Sequence, residues 1–295
     1  MLARAWRRLG LALGLTLWSG LGVGASTLDP TLDASPEPFL FGITPVFMVD
    51  QTRFLAGFGP YLEGRLGQPV RFVRRKSYTE ITDMLLGGDL DAAWICSFSY
   101  VFNRASLALL GIPIFKGEPF YQSYLIVPAS DGDTKGYQDL NGEVFAYVEP
   151  RSNTGYLYPR FAINQLGKDA NAWFRETFFT WSHQDSVLAV ADQVADAAAV
   201  DSYIWEVLHL GDPGLTDRTR VVSGSPKFGF PPVVGGTFLK DDVRARLAEA
   251  LLGMDRDPEG RRLLDLLHLD RFMAPREDIY DGISEMIQAV MPGGE

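Results

Sequence analysis

The chain has 295 residues, room for one large domain or two lobes, and its 46% hydrophobic and 22% charged residues mark a globular protein with a real core. A formal net charge of −10 excludes a general nucleic-acid binder, whose phosphate contacts need a clustered basic surface. A small anion is not excluded, because local N–H dipoles rather than net charge set the potential of a pocket.

Arg4, Arg7 and Arg8 precede an apolar run over residues 9–23 that closes on the small residues Val23-Gly24-Ala25. Charged start, apolar middle and small-residue end are the parts of a secretory signal, predicted over 1–25 with cleavage after Ala25. A transmembrane anchor is the competing reading, but the run is short and interrupted by Gly and Ser. Removing that segment takes 27 basic residues to 24 against 37 acidic ones, a net charge of −13. Cys96 is the sole cysteine, so no internal disulfide can form, and none lies near the cleavage site to carry a lipid. An exported, periplasmic protein is expected.

After a Ser-, Thr-, Asp- and Pro-containing lead-in over 26–37, residues 39–43 read as a first strand. Phe54, Leu55, Phe58, Leu62 and Leu66 recur at helical spacing over 52–66, and Gly67 closes that helix. A strand over 70–73 leads to a capping box, Ser77-Tyr78-Thr79-Glu80, and a helix ending at Gly87-Gly88. Residues 90–95 form a third predicted strand, and Cys96-Ser97 opens a helix running to 109. This β-α alternation is the pattern of a parallel sheet with covering helices, an α/β fold. In such sheets ligands sit beyond the carboxyl ends of the strands, where Thr44, Ser77-Tyr78 and Cys96-Ser97 fall.

Strands are predicted at 112–115 and 124–128, helix-like segments at 136–142, 161–166, 171–178 and 187–194, and strands at 143–148, 196–201, 220–223 and 233–238. The remainder, over 241–254, 259–267 and 279–290, is helical in period and is expected to pack back on the first lobe. The implied arrangement is two lobes, 37–123 plus 232–295 and 124–231, joined by crossovers near 121–125 and 224–234.

Glu149-Pro150-Arg151-Ser152-Asn153-Thr154-Gly155 lies between the 143–148 strand and the following helix. Unbonded N–H groups and the positive end of the helix dipole suit that place to an anion. An ordinary helix cap is the alternative, since Ser, Asn and Thr are common caps.

Together with Tyr78-Thr79-Glu80-Ile81, Leu90-Asp91-Ala92-Ala93-Trp94 and residues 183–201, this turn resembles the periplasmic solute-binding proteins for phosphonate, phosphite and phosphate that serve ABC importers. That family's turn, Asp-Pro-x-Ser-Thr-Ser-Gly, appears here with Glu149, Asn153 and Thr154 at the variant places. The resemblance implies a two-lobed type II periplasmic-binding-protein fold with two hinge crossovers. It implies that Ser152, Asn153, Thr154 and the Gly155 N–H grip the anion, with His183 as a further donor and Tyr78 reaching in from the other lobe. His183 by itself is as readily a structural histidine. Cys96 and Ser97 stand at the strand end, Cys96 in the region where a pocket tyrosine is expected. Relatives that take amino-alkyl phosphonates need a carboxylate at positions held here by Tyr203 and the Phe230-Pro231-Pro232 turn. Asp91, Asp196 and Asp201 read equally well as strand-end caps.

The partners implied are a small oxyanion and an inner-membrane ABC permease, with no nucleic acid and a monomeric chain. A second reading uses Cys96 for arsenite, as in sensing relatives that signal to a membrane sensor kinase, because a thiol suits a thiophilic ligand. A small buried residue is the plainer account of it. His183, His209 and His268 have no metal-ligand spacing, so neither metal nor cofactor is predicted. An enzyme, a hydrolase above all, is the further alternative. No Gly-x-Ser-x-Gly elbow or Gly-Lys-Ser/Thr loop supports it, and no catalytic residue is assigned.

Overall fold

The computed structural model of the chain describes residues 37–44 and 51–291, so the leader expected over 1–25 lies outside the described residues. The strands are β1 (Phe39–Ile43), β2 (Val70–Arg74), β3 (Ala92–Trp94), β4 (Leu107–Ile114), β5 (Phe120–Tyr121), β6 (Ser123–Pro128), β7 (Val144–Tyr147), β8 (Glu176–Phe179), β9 (Ala197–Asp201), β10 (Thr219–Gly224), β11 (Phe228–Gly229), β12 (Val233–Gly236) and β13 (Arg271–Met273). The helices are α1 (Gln51–Leu66), α2 (Tyr78–Gly87), α3 (Ser97–Asn103), α4 (Tyr158–Gln165), α5 (Ala170–Trp173), α6 (His183–Ala191), α7 (Ser202–Gly211), α8 (Pro213–Thr216), α9 (Asp241–Leu252), α10 (Pro258–Leu266) and α11 (Asp281–Val290).

Two mixed sheets carry the fold. One has the order β13-β4-β12-β3-β1-β2, the other β10-β6-β9-β7-β8. β1 runs parallel to β2 and β3, and β7 parallel to β8 and β9, while β12, β13, β6 and β10 pair antiparallel. Between the sheets the chain crosses twice, and the two passages pair as β5 and β11, Phe228 opposite Tyr121. The first sheet is packed by aromatic rings: Phe54 stacks on Phe58 at 4.8 Å, and Phe41 meets Phe58 edge-on at 5.8 Å. The second has its own aromatic core, with Phe145 stacked on Phe174 at 4.4 Å. Edge-on and offset contacts of this kind add to the area these rings bury.

Several predicted elements differ from those observed. The helix expected to run from Cys96-Ser97 to 109 ends at Asn103, and Leu107 to Leu109 belong to β4, where they pair with β12. The helix expected over 171–178 is one short turn, α5, followed by β8 alongside β7. In both places tertiary strand pairing overrides a local helical period. The segment at 136–142 contains only a single turn, Tyr137–Asp139. α7 and β13 lie where no element is predicted.

Local signals are accurate where they carry a mechanism. Ser77 and Glu80 form a reciprocal capping box at the start of α2, and Gly88 ends it with φ +80°. α9 and α10 pack against α1, on the first sheet. α11 differs from the rest of the tail: it lies against α3 and also against α4 and the turn before it, burying Ile283 and Met286. It therefore touches helices that follow strands of both sheets.

Candidate functional site

The site is built on the turn after β7. Ser152 caps it, its Oγ accepting the Gly155 N–H at 3.0 Å, and a five-residue π-helical turn, Asn153–Leu157, runs into α4. A Cβ on Gly155 would stand 2.3 Å from Val148 Cγ2, so glycine is required here by close approach rather than by backbone angle. The Val148 N–H in turn donates to the Gly155 carbonyl at 3.1 Å. Ser123 Oγ donates to the Thr154 carbonyl at 2.7 Å, tying the turn to β6.

Elements from both sheets close on this turn. The Tyr78 N–H, at the start of α2, donates to Glu149 Oε1 at 3.1 Å. The Asn153 N–H donates to Cys96 Sγ at 3.4 Å, and Asn153 Nδ2 donates to the Tyr121 hydroxyl at 3.0 Å. Ser97 Oγ donates to the Gly229 carbonyl at 2.7 Å. The Arg151 guanidinium lies over the Phe102 ring at 4.3 Å. His183 opens α6, and its Nδ1 accepts the Asp201 N–H at 3.0 Å, which leaves the ring proton on Nε2 as a donor. Asp201 ends β9 and caps α7 through the N–H groups of Tyr203 and Ile204.

Tyr78, Cys96, Ser97, Ser152, Asn153, Thr154, His183 and Tyr203 are all buried, none more than 4% exposed. Three side-chain oxygens among them find no hydrogen-bond partner: Tyr78 OH, Thr154 Oγ1 and Asn153 Oδ1. A buried oxygen without a partner costs about 1–3 kcal/mol. Two of the three stand on adjacent residues of the turn, Asn153 and Thr154, where a polar ligand could supply the missing partners. Tyr203 is different. Its hydroxyl donates to the Leu267 carbonyl at 2.8 Å, and its ring meets Phe115 and Phe230 edge-on at 5.0 and 5.2 Å.

The electrostatics are set by burial. Desolvation pushes the Cys96 thiol up to about 12, against weaker opposing N–H bonds from Asn153 and Phe98, so it stays protonated. Burial drives His183 down to about 3, so its imidazole is neutral. Asp201 is pushed up to about 7 by desolvation, although the N–H groups of Ile204 and Tyr203 pull it the other way. Burial likewise raises Glu149, opposed by the N–H of Arg151 and of Tyr78. The site thus offers neutral donors and two acidic groups. Among the described residues no cluster of three His, Cys, Asp or Glu side chains could hold a metal ion.

Sequence reasoning brought most of these residues forward but left out Glu149, Tyr121 and Asp201. Glu149 stood inside the quoted turn without a role. Asp201 was read as a strand-end cap, which it is, and its spacing before Ser202-Tyr203 gave no sign of its nearness to Tyr78 and Cys96. Tyr121 becomes part of the site only because β5 pairs with β11 between the sheets.

Helix starts that follow strands of two sheets thus meet over a buried polar group. The chain belongs to the family of ABC-transporter periplasmic substrate-binding proteins for phosphonate, whose family model matches residues 41–280. It is similar to the phosphate-import protein PhnD of Mycolicibacterium smegmatis, 31% identical over 215 residues, covering 68% of this chain and 62% of that one. The phosphonates-binding periplasmic protein of Escherichia coli is 23% identical over 220 residues, covering 72% of this chain and 64% of the relative. The chain thus spans just under two thirds of the length of these two relatives. Among solved structures, PhnD1 of Prochlorococcus marinus in complex with methylphosphonate has a TM-score of 0.76 at 20% identity, covering 85% of this chain and 97% of that one. The fold is the two-lobed type II periplasmic-binding-protein fold.

Proposed function

We propose that this chain is an exported solute-binding protein that closes on a small phosphorus oxyanion (phosphate, phosphite or an alkyl phosphonate) and delivers it to an inner-membrane ABC permease. The observation that carries the reading is the set of unpartnered oxygens of Tyr78, Asn153 and Thr154, buried between the two sheets at the Ser152–Gly155 turn. Hydroxyls and the neutral His183 Nε2–H can hold an oxyanion without a full cation. The Gly155 N–H expected to join them is instead given to Ser152 Oγ, and the Asn153 N–H to Cys96 Sγ. The sheet carrying β1 to β4 and the sheet carrying β6 to β10 form the two lobes, with the paired β5 and β11 segments as the hinge. Lobe closure is the step a membrane partner reads, whether for transport or for signalling.

A thermal-shift panel of phosphate, phosphite, methylphosphonate, sulfate and arsenite tests the reading. Bound ligand raises stability by RT ln(1 + [L]/Kd), about 4 kcal/mol at roughly 1,000-fold saturation. For a chain of this size that is a rise in Tm of about 8 °C or more. A rise with phosphorus oxyanions is expected. No rise with any member of the panel would remove the oxyanion reading, and a rise with arsenite that Cys96→Ala abolishes would replace it.

A further inference from the structure

A chain with a net charge of −10 repels an anion at long range, whatever its site offers at close quarters. Its cations are not spread evenly. Arg71, Arg74, Arg75 and Lys76 fall within six successive positions, and all four side chains are exposed. β2 carries the first two, and Arg75 and Lys76 continue past its end to Ser77, the cap of α2. β2 and β3 both run parallel to β1, so the carboxyl end of β2 lies on the side of the sheet where α2 and α3 begin. Tyr78, whose N–H reaches Glu149 of the turn, follows Lys76 by two residues. An extended chain advances at most about 3.6 Å per residue, which keeps Arg74 within roughly 14 Å of Tyr78.

The patch is also unneutralised. Elsewhere arginines are paired with acids, as Arg65 with Asp257, Arg218 with Asp192, Arg220 with Asp131 and Arg262 with Glu259. Among the described residues none of the four cations makes an ion pair. Arg75 Nη1 donates instead to the Arg74 carbonyl at 2.8 Å. Glu80, the acid in the first turn of α2, is turned back on Ser77, whose N–H it accepts at 3.1 Å. Charged side chains also deter pairing at a sheet edge, and β2 is an edge strand. That accounts for Arg71 and Arg74 but not for Arg75 and Lys76, which lie beyond the strand.

We infer that these four side chains form a cationic rim that draws the oxyanion to the site and raises the rate at which it binds. This rests on the oxyanion reading above and adds a route of entry to it. Rim charges act on association and its salt dependence, whereas release depends on the groups that grip the ligand. The reach of the effect is the Debye length, about 30 Å at about 0.01 M salt and about 8 Å at about 0.15 M. Over roughly 14 Å the rim is therefore felt strongly in the first condition and weakly in the second.

The test is stopped-flow tryptophan fluorescence of phosphate, phosphite and methylphosphonate binding, from about 0.01 to about 0.5 M salt. Two variants of equal net charge are compared with wild type. One carries Arg71→Gln, Arg74→Gln, Arg75→Gln and Lys76→Gln; the other carries Lys135→Gln, Lys168→Gln, Arg175→Gln and Lys240→Gln, four exposed cations elsewhere. The rim variant is expected to associate about tenfold more slowly at about 0.01 M salt, about twofold more slowly at about 0.15 M and equally at about 0.5 M. Its dissociation rate should be unchanged. The second variant should stay within about twofold of wild type throughout. Arg75→Glu with Lys76→Glu removes the same charge without touching β2 and should slow association as much as the rim variant. Equal slowing by both fourfold variants would assign the effect to net charge and overturn the inference. Unchanged association in the rim variant, slowing that persists at high salt, or a loss seen only in dissociation would overturn it too, each leaving the oxyanion reading standing. Absence of binding of all three anions by wild type would overturn the oxyanion reading and the inference with it.

Discussion

Two residues at the centre of the site are held in states they would not choose in water. Thr154 Oγ1 is buried without a partner, so it costs stability in the protein alone; on the proposed function a bound oxyanion offsets that cost. Thr154→Val keeps the shape and removes the hydroxyl. It should leave Tm unchanged or raised while weakening oxyanion binding by about tenfold or more, checked by thermal unfolding and calorimetry. A lowered Tm with unchanged affinity would take Thr154 out of the site. Asp201 gives a pH signature. Its folded value, near 7, lies above the 3.8 of the unfolded chain, so between those limits the folded state holds the extra proton. Stability from this group is present at low pH and declines as pH rises towards 7. Asp201→Asn keeps an oxygen for capping α7 but does not ionise. Its stability relative to wild type should grow by roughly 3 kcal/mol from about pH 4 to pH 7, read from urea melts at each pH. A difference that does not vary with pH would show that Asp201 titrates normally.

At the scale of elements, the turn between β7 and α4 works because three local demands agree. Ser152 caps, Gly155 permits contact with Val148, and the π-helical turn leaves the side chains of Asn153 and Thr154 unpaired. Gly155→Ala should force the turn off Val148, costing about 1–3 kcal/mol and abolishing ligand binding. Val148→Gly in the same chain should restore part of both, because Val148 Cγ2 and Cβ are the atoms a new Cβ would meet first, at 2.3 and 2.5 Å. Unfolding and binding of the single and double variants give the coupling, and additive losses would show that the clash is not with Val148. The cap and the turn were legible from Ser152 and Gly155 in the sequence. The failures at 104–109 and 171–178 have one cause: an edge or neighbouring strand supplied backbone partners that no local window contains.

Over the whole molecule, the site lies where the two sheets meet, beside a core that continues from Phe41 and Trp94 of one to Ile126 and Val200 of the other. Contacts between them are polar at the turn, Tyr78 to Glu149, Asn153 to Cys96 and Tyr121, and Arg151 over Phe98 and Phe102, and apolar beside it, where Tyr203 meets Phe115 and Phe230 and α11 packs on both α3 and α4. Arg151→Ala removes a cation–π contact worth about 0.5–2 kcal/mol. It should weaken ligand binding by about three- to thirty-fold, mainly through faster dissociation, measured by stopped-flow fluorescence. Unchanged dissociation would separate Arg151 from closure.

The α/β alternation, the aromatic cores and the Ser152–Gly155 turn were all determined by the sequence alone, because hydrophobic period, caps and turn residues act over a few neighbouring positions. The strand pairings of β4 and β8, the crossing of α11 between α3 and α4, and the entry of Tyr121, Glu149 and Asp201 into the site were decided by tertiary structure. Each depends on groups brought together from distant parts of the chain. Burial is the physical reason the difference matters for function: it leaves Asn153 Oδ1 unpaired, keeps Cys96 protonated and raises Asp201, and no stretch of residues carries that information by itself.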